Sequence, residues 1–371
     1  MKIGIDAKWF FEGPPSGKVV VQNLVRQIVL SNTDHDLYIF LDRKHEGESF
    51  PYENAKVHLR YVWANNNLLS NVLLIPFVAY PLHLDMFIFQ NFAPVFSNFK
   101  RYSFVHDVIF KSHPEYYTLV ERLYFAPLRL LTRLSHGLCT VSEAEKRRMI
   151  QYGYCATDAI DVVYHGADES FIPATQQNAT DLVEVRKKYS LPDKYLLYVG
   201  RLNVRKNIFN LLRAISLLRH DTPLVIVGGY DWKMTNVDDL IQELGLMDRL
   251  IFTGPVFGKD LAAIYGMAHL FCFPSYEESF GLPALEGMAS GVPVVVSDRS
   301  SLPEICGDAG NYVNPDSPEN IAEVIDGLLD DDNLRERKQK MGLARAQQFK
   351  WEFSARDLVH HALKVCGTSN T

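Results

Sequence analysis

The chain has 371 residues, of which 47% are hydrophobic and 22% charged, which is ordinary for a globular protein and too apolar for intrinsic disorder. Its 38 Lys and Arg against 44 Asp and Glu leave a net charge of −6, which argues against a general nucleic-acid binder, and no nucleic acid is expected as a partner. Five cysteines without a C-x-x-C pair argue against zinc ribbons and disulfide frameworks and predict reduced thiols in the cytoplasm.

The N-terminal MKIGID runs straight into a strand pattern and shows no signal peptide. Val21, Leu24, Val25 and Ile28 then recur on one helical face. Strand patterns follow at 37–41, 57–62, 86–89, 102–106, 138–141 and 160–164, with helical patterns at 117–134 and 143–152. The most apolar stretch, 72–84, carries Pro76 and Pro81 and falls short of the ~20 residues that a spanning helix needs, so only surface contact with a membrane is expected. Residues 169–192 interrupt the rhythm. We take 1–175 as the first domain, 176–192 as a linker and 193–350 as the second domain. The second alternation has strands at 195–199, 224–227, 250–252, 270–273 and 292–297, with helices at 208–218, 237–244, 259–266 and 282–289. Helices at 319–329, 333–349 and 351–366 close the chain. Strand alternating with helix, twice over, predicts an α/β protein of two doubly wound parallel-sheet domains facing a central cleft. Ligands in such sheets bind at the carboxyl ends of strands, so strand-to-helix turns are where chemistry is sought.

One such turn reads PSYEESFGLPALE over 274–286. Glu278 and Glu286 are spaced E-x7-E, one before a helix and one inside it. The amides near Ser279, Phe280 and Gly281 stand at the helix start, where the dipole favours an anion. An anion site with two carboxylates that accept from hydroxyls suits a nucleotide sugar. A second turn, GRLNVRKN at 200–207, sets Arg201 and Lys206 around a helix start, as a pyrophosphate requires. A third, GPPSGK at 13–18, is either a phosphate-approaching loop using Gly17 or a tight turn with Ser16 as N-cap. His106, beyond the strand at 102–105, either bonds a sugar hydroxyl or leaving phosphate, or is structural. Trp9, Phe10 and Phe11 either line a pocket or belong to the core. Asp330, Asp331 and Asp332 end a surface helix and are taken as solvated rather than metal-binding.

With these motifs in place, the sequence resembles the retaining GT-B glycosyltransferases of family 4, the group 1 glycosyl transferases. The resemblance rests on MKIGIDA, VHD at 105–107, GRLNVRKN and PSYEESFGLPALEGMASGVPVVVSD at 274–298. TVSEAEKRRM at 140–149, YHGAD at 164–168 and FTGPV at 252–256 agree in order and spacing. It spans nearly the whole chain and is weakest in residues 1–100.

The resemblance implies a GT-B fold of two Rossmann-like domains, with helix 351–366 packing back on the first. It implies a donor site of Gly17, Arg201, Lys206, Val256, Glu278, Ser279, Phe280, Gly281, Leu282 and Glu286. Arg201 and Lys206 would take the diphosphate, Glu286 the ribose and Glu278 the donor sugar, with His106 near the reacting carbon. The base would lie by Gly228, Gly229, Pro255 and Val256. Glu278, His106, Arg201 and Lys206 would carry catalysis, with no metal or other cofactor. The expected reaction moves a hexose, with GDP-mannose or UDP-glucose as favoured donors, to a glycan or lipid-linked acceptor in surface-polysaccharide (lipopolysaccharide) synthesis. The expected location is the cytoplasm, with peripheral membrane contact through the N-terminal domain. Pro14-Pro15 and His165 depart from the family pattern. A nicotinamide dehydrogenase would need the glycine fingerprint that is missing. A GT-B sugar-nucleotide epimerase is told apart by isomerisation without acceptor. A non-catalytic glycan-binding or scaffold protein should have lost the donor residues.

Overall fold

The computed structural model describes residues 1–63, 65–155, 159–229 and 236–367. The chain divides into two compact units, Met1–Gly166 together with the segment from Trp351 on, and Ala167–Lys350.

The first unit is built on β1 (Lys2–Asp6), β2 (Asp36–Asp42), β3 (Val57–Val62), β4 (Met86–Gln90), β5 (Lys100–Phe104), β6 (Gly137–Thr140) and β7 (Asp161–Val162). All pair in parallel, in the order β3-β2-β1-β4-β5-β6-β7. The central strands are apolar on both faces, as a covered parallel sheet requires: Leu37, Ile39, Phe40 and Leu41 are buried, and so is every residue of β4. Phe87 stacks on Phe89 at 4.3 Å and meets Phe40 edge-on at 4.9 Å. Pro15 opens helix Pro15–Ser31, where its fixed φ suits the first turn and its missing N–H costs nothing. This helix buries Val21, Leu24, Val25 and Ile28 and packs against helix Trp351–Lys364. The latter is fastened by Trp351, Ala355 and Leu358 and by a 2.5 Å bond from Ser354 to the Tyr164 carbonyl.

Two expectations are corrected here. The pattern at 117–134 is two helices, Leu119–Phe125 and Leu128–Arg133, because Pro127 has no N–H to continue the first. Ser16 is not an N-cap: the helix has begun by Pro15, the N-cap position is Pro14, and no side chain caps it. The apolar stretch 72–84 overlaps a continuous run of helical turns from Asn67 to Leu82.

The second unit holds β8 (Leu196–Val199), β9 (Leu224–Val227), β10 (Leu250–Gly254), β11 (Leu270–Phe273), β12 (Val294–Ser297) and β13 (Asn311–Val313). They are parallel, in the order β10-β9-β8-β11-β12-β13. Strand β13 and the short helix Leu302–Cys306 had no counterpart in the sequence reading. The boundary also moves. Residues 167–175, assigned to the first domain, and 176–192, assigned to a linker, belong to the second unit. Helix Ala179–Lys188, capped by Asn178, packs against helix Gly258–Met267, and Gln177 Nε2 donates to the Ala262 carbonyl at 3.1 Å.

Both sheets are doubly wound. Chain order reverses between β1 and β4 in one and between β8 and β11 in the other. The crevice outside the strand ends at such a switch point is the default ligand position.

Candidate active site

In the second unit, both suspected turns leave the strands that flank the switch point. The first follows β8. Gly200 and Gly228 approach so closely that a Cβ on Gly228, which has φ 145°, would lie 2.0 Å from the Gly200 carbonyl oxygen. Only glycine fits there. Backbone bonds Gly200 N–H to Val227 O (2.9 Å), Leu202 N–H to Gly229 O (3.0 Å) and Gly228 N–H to Gly254 O (3.0 Å) lace the ends of β8, β9 and β10 together. Asn203 then caps the turn Val204–Lys206, accepting from Lys206 N–H at 3.0 Å. Asn207, at φ 59°, donates to the carbonyls of Pro274 (3.0 Å) and Pro315 (2.7 Å), which fixes this turn to the one after β11.

That fastening brings Lys206 and Glu278 together. Lys206 Nζ lies 2.5 Å from Glu278 Oε1, and Arg205 Nη1 lies 3.4 Å from Glu278 Oε2 and 2.6 Å from the Glu277 carbonyl. The Lys206 ammonium also sits 4.7 Å from the centre of the Phe273 ring. Both Lys206 and Glu278 are buried. Burial pushes Lys206 down to about 8, opposed by the Glu278 charge. Burial alone would raise Glu278, but Lys206 and Arg205 outweigh it and hold the carboxyl below its usual range. At pH 7 the pair is therefore ammonium and carboxylate. Arg201 is exposed on the same turn, near enough for its charge to depress Lys206. Its carbonyl accepts from the Tyr198 hydroxyl at 3.0 Å.

The second turn ends in helix Leu282–Ala289. Gly281 precedes it at φ 100°, and a Cβ there would meet Leu302 Cδ2 at 2.7 Å. Ser300 Oγ accepts from Glu278 N–H at 3.1 Å, and Ser301 Oγ donates to the Phe280 carbonyl at 2.9 Å. Phe280 is buried, while Ser279 and Leu282 are half-buried beside it. The Ala284 and Leu285 N–H groups bond back to the Gly281 carbonyl at 3.0 and 3.2 Å, and the helix start carries the positive end of the dipole. Glu286 lies inside the helix, half-buried. Burial pushes its carboxyl up to about 8; a hydrogen bond with the Tyr265 hydroxyl opposes this and the Asp168 charge adds to it. Val256 is buried past the end of β10, and a Cβ on Gly229 would stand 3.8 Å from Pro255, so the two segments expected to flank a base are adjacent. The second unit thus gathers Arg201, Lys206, Val256, Glu278, Ser279, Phe280, Gly281, Leu282 and Glu286 at the carboxyl edge of one sheet.

The first unit brings Gly17 and His106 together around Trp9. A Cβ on Gly17 would lie 2.9 Å from Trp9 Cε3, and the Trp9 and His106 ring centres are 6.1 Å apart. Gly17 is already inside the first helical turn. Phe10 is core, while Phe11 packs on His45 at 5.1 Å. His106 Nε2 lies 2.7 Å from Gln90 Oε1, and the His106 backbone N–H donates to Asn91 Oδ1 at 3.1 Å. Burial pushes the ring down to about 4.

Sequence reasoning missed Arg205, Asn207, Tyr265 and Gln90. The first two lie within GRLNVRKN and look like ordinary turn residues, and Tyr265 is one apolar-face residue of a helix. Gln90 had a signal, being the one polar residue in the strand MFIFQ. The acidic run disperses: Asp330 pairs with Arg219 (2.5 Å) and His220 (2.7 Å), Asp331 caps Leu334 N–H, and Asp332 pairs with Arg335 (2.5 Å). Among the described residues, no group of three or more His, Cys, Asp or Glu is placed to hold a metal ion, and no helix is long and apolar enough to cross a membrane.

Residues 184–345 match the family described as glycosyl transferases group 1. The chain is 35% identical over 258 residues to the O-antigen chain mannosyltransferase B of Escherichia coli, covering 67% of this chain and 66% of that protein. It is 31% identical over 225 residues to the E. coli serotype-specific mannosyltransferase WbdA, covering 59% of this chain but 28% of that longer protein. In three dimensions it resembles the sucrose-phosphate synthase of Thermosynechococcus elongatus, with a TM-score of 0.78 at 20% identity over all of both chains. The fold is GT-B, and the chain belongs to the group 1 glycosyl transferases.

Proposed function

We propose that the protein is a retaining hexosyltransferase that moves mannose from GDP-mannose to a glycan or lipid-linked glycan during assembly of a surface polysaccharide. The observation that carries the reading is the cluster of buried Lys206 and Glu278 with half-buried Arg205 against the start of helix Leu282–Ala289, at the switch point of the second sheet. It offers fixed cations and helix amides for a diphosphate, beside carboxylates that accept from sugar hydroxyls. Mannose is favoured over glucose because the two curated relatives compared are named mannosyltransferases.

In this reading the donor diphosphate lies against Arg201, Lys206 and the helix start, Glu286 holds the ribose and Glu278 the donor sugar. Transfer proceeds at the front face. The bond from the anomeric carbon to the phosphate oxygen breaks as the acceptor oxygen forms its bond on the same side, and the acceptor's proton passes to the departing phosphate. Stabilising the charge that grows on the diphosphate is then the main catalytic task, and side-chain cations with a helix dipole perform it without a metal. Peripheral membrane contact fits the exposed stripe Leu69, Leu73, Phe77 and Tyr80 along the turns at 67–82.

The test is transfer from labelled GDP-mannose and UDP-glucose to a lipid-linked O-antigen acceptor, with the anomeric configuration of the product read by NMR. An α-mannosyl product from the α-linked donor supports the reading. Inversion, or isomerisation of the nucleotide sugar without acceptor, overturns it.

A further inference from the structure

A buried polar network lies under the strand ends of the first unit, and it converges on His106. Gln90 closes β4 and is 4% exposed. Its N–H points at Asp6 Oδ2 (3.4 Å), and its carbonyl accepts from Asn71 Nδ2 (3.2 Å) and the Phe92 N–H (2.9 Å). Asp6 and Asn71 are themselves fixed. Lys8 Nζ lies 2.5 Å from Asp6 Oδ1 and also bonds Asn71 Oδ1, while Asn71 Nδ2 donates to Asp6 Oδ2 at 2.9 Å. A network in which each member is satisfied is rigid. The Gln90 side-chain oxygen reaches from this network to His106 Nε2 at 2.7 Å.

We propose that Gln90 is a positioning residue: its carboxamide oxygen accepts the Nε2–H of His106 and leaves Nδ1 as a bare acceptor for a sugar hydroxyl. An amide oxygen has no proton to give, so the ring must donate at Nε2. The ring packs in tilted contact with Phe104 at 4.9 Å and Trp9 at 6.1 Å, with His165 at 6.2 Å. The charge that bears on it is Asp6, which favours the imidazolium and is itself paired to Lys8. Burial wins and keeps the ring neutral at pH 7. A neutral ring protonated at Nε2 has a lone pair on Nδ1 that repels phosphate oxygens and accepts from hydroxyls. Of the two functional roles open to His106 from sequence, this selects the sugar hydroxyl over the departing phosphate. Only the identity of that hydroxyl rests on the transferase reading.

The experiment is a long-range proton–nitrogen NMR spectrum of the free, ¹⁵N-labelled protein at pH 7, with the two variants Gln90→Leu and Gln90→Glu. The wild type should show a protonated Nε2 and an unprotonated Nδ1. Gln90→Leu should lose that preference and lower kcat about tenfold, with KM for the donor little changed. Gln90→Glu should raise the His106 titration toward neutrality, and the transfer rate should gain an acid limb. Should Gln90→Leu not fold, the wild-type spectrum and the glutamate variant decide. A proton on Nδ1 in the wild type, or a His106 titration unmoved by Gln90→Glu, overturns the proposal. An Nε2–H ring in a protein that transfers no sugar supports Gln90 as the residue that sets the ring and refutes the transferase reading alone.

Discussion

Replacing Glu278 by glutamine should tighten the binding of a nucleoside diphosphate while abolishing transfer. The reason is that Glu278 occupies Lys206 at 2.5 Å, with a side chain only 7% exposed. A phosphate oxygen bonded to the same ammonium would stand about 5 Å from that carboxylate. Two unit charges at ~5 Å repel by about 3 kcal/mol at an effective dielectric of 20 and by about 0.8 kcal/mol in water. Burial places the site nearer the first figure and the incoming counterions nearer the second, so a gain of about 1–3 kcal/mol, roughly five- to hundredfold, is expected. One effect runs the other way. The Glu278 charge supports the Lys206 proton, so its removal depresses Lys206 further below about 8. The measurement therefore belongs at about pH 6.5, well below the value of about 8 at which the wild-type Lys206 loses its proton. Titration calorimetry with GDP supplies the affinities and the transfer assay supplies the rate. GDP binding to Glu278→Gln that is equal to or weaker than wild type would refute the idea that Glu278 and the diphosphate compete for Lys206.

Other expectations follow from the same geometry. Arg201→Ala and Lys206→Ala should each weaken GDP binding by about 1.5–3 kcal/mol, the range for a hydrogen bond to a charged group, measured by the same calorimetry. GDP affinity should be bell-shaped in pH around 8: the Glu286 carboxylate accepts from ribose hydroxyls more strongly than its protonated form, which strengthens binding as pH rises, and Lys206 then loses its charge, which weakens it. Glu286→Gln should retain only the falling limb. Gly228→Ala should cost more than about 2 kcal/mol in a denaturant melt, because its Cβ has backbone on the far side and no flexible side chain to push away. Transfer should persist in excess EDTA, whereas loss restored by Mg²⁺ would show that a metal shares the work assigned to Arg201 and Lys206.

The second unit was the more legible in sequence, for a physical reason. Its helices bury apolar faces and its turns carry glycines and cations where strands end, so period and motif point the same way. What escaped there was short: β13 has three residues and helix Leu302–Cys306 has five, too few for any periodicity. The turns at 67–82 escaped for the opposite reason. They bury Asn67, Ser70 and Asn71 and expose Leu69, Leu73 and Phe77, an inverted pattern that reads as no amphipathic helix at all. The polar face is inward because it feeds the network beneath Gln90. At the site, the residue types were visible in the motifs, but the direct pairing of Lys206 with Glu278 was not. It depends on Asn207 tying two turns that lie 67 residues apart.

The central claim is that the cluster in the second unit binds the diphosphate of a nucleotide sugar. It is tested most directly by calorimetry of GDP-mannose at about pH 8, where the affinity should peak, against the wild type and the double variant Lys206→Ala, Glu286→Ala, each shown by circular dichroism to be folded. The account predicts saturable binding to the wild type and at least a hundredfold loss in the double variant, from two charged contacts of about 1.5 kcal/mol or more each. Equal affinity in the two proteins would contradict it.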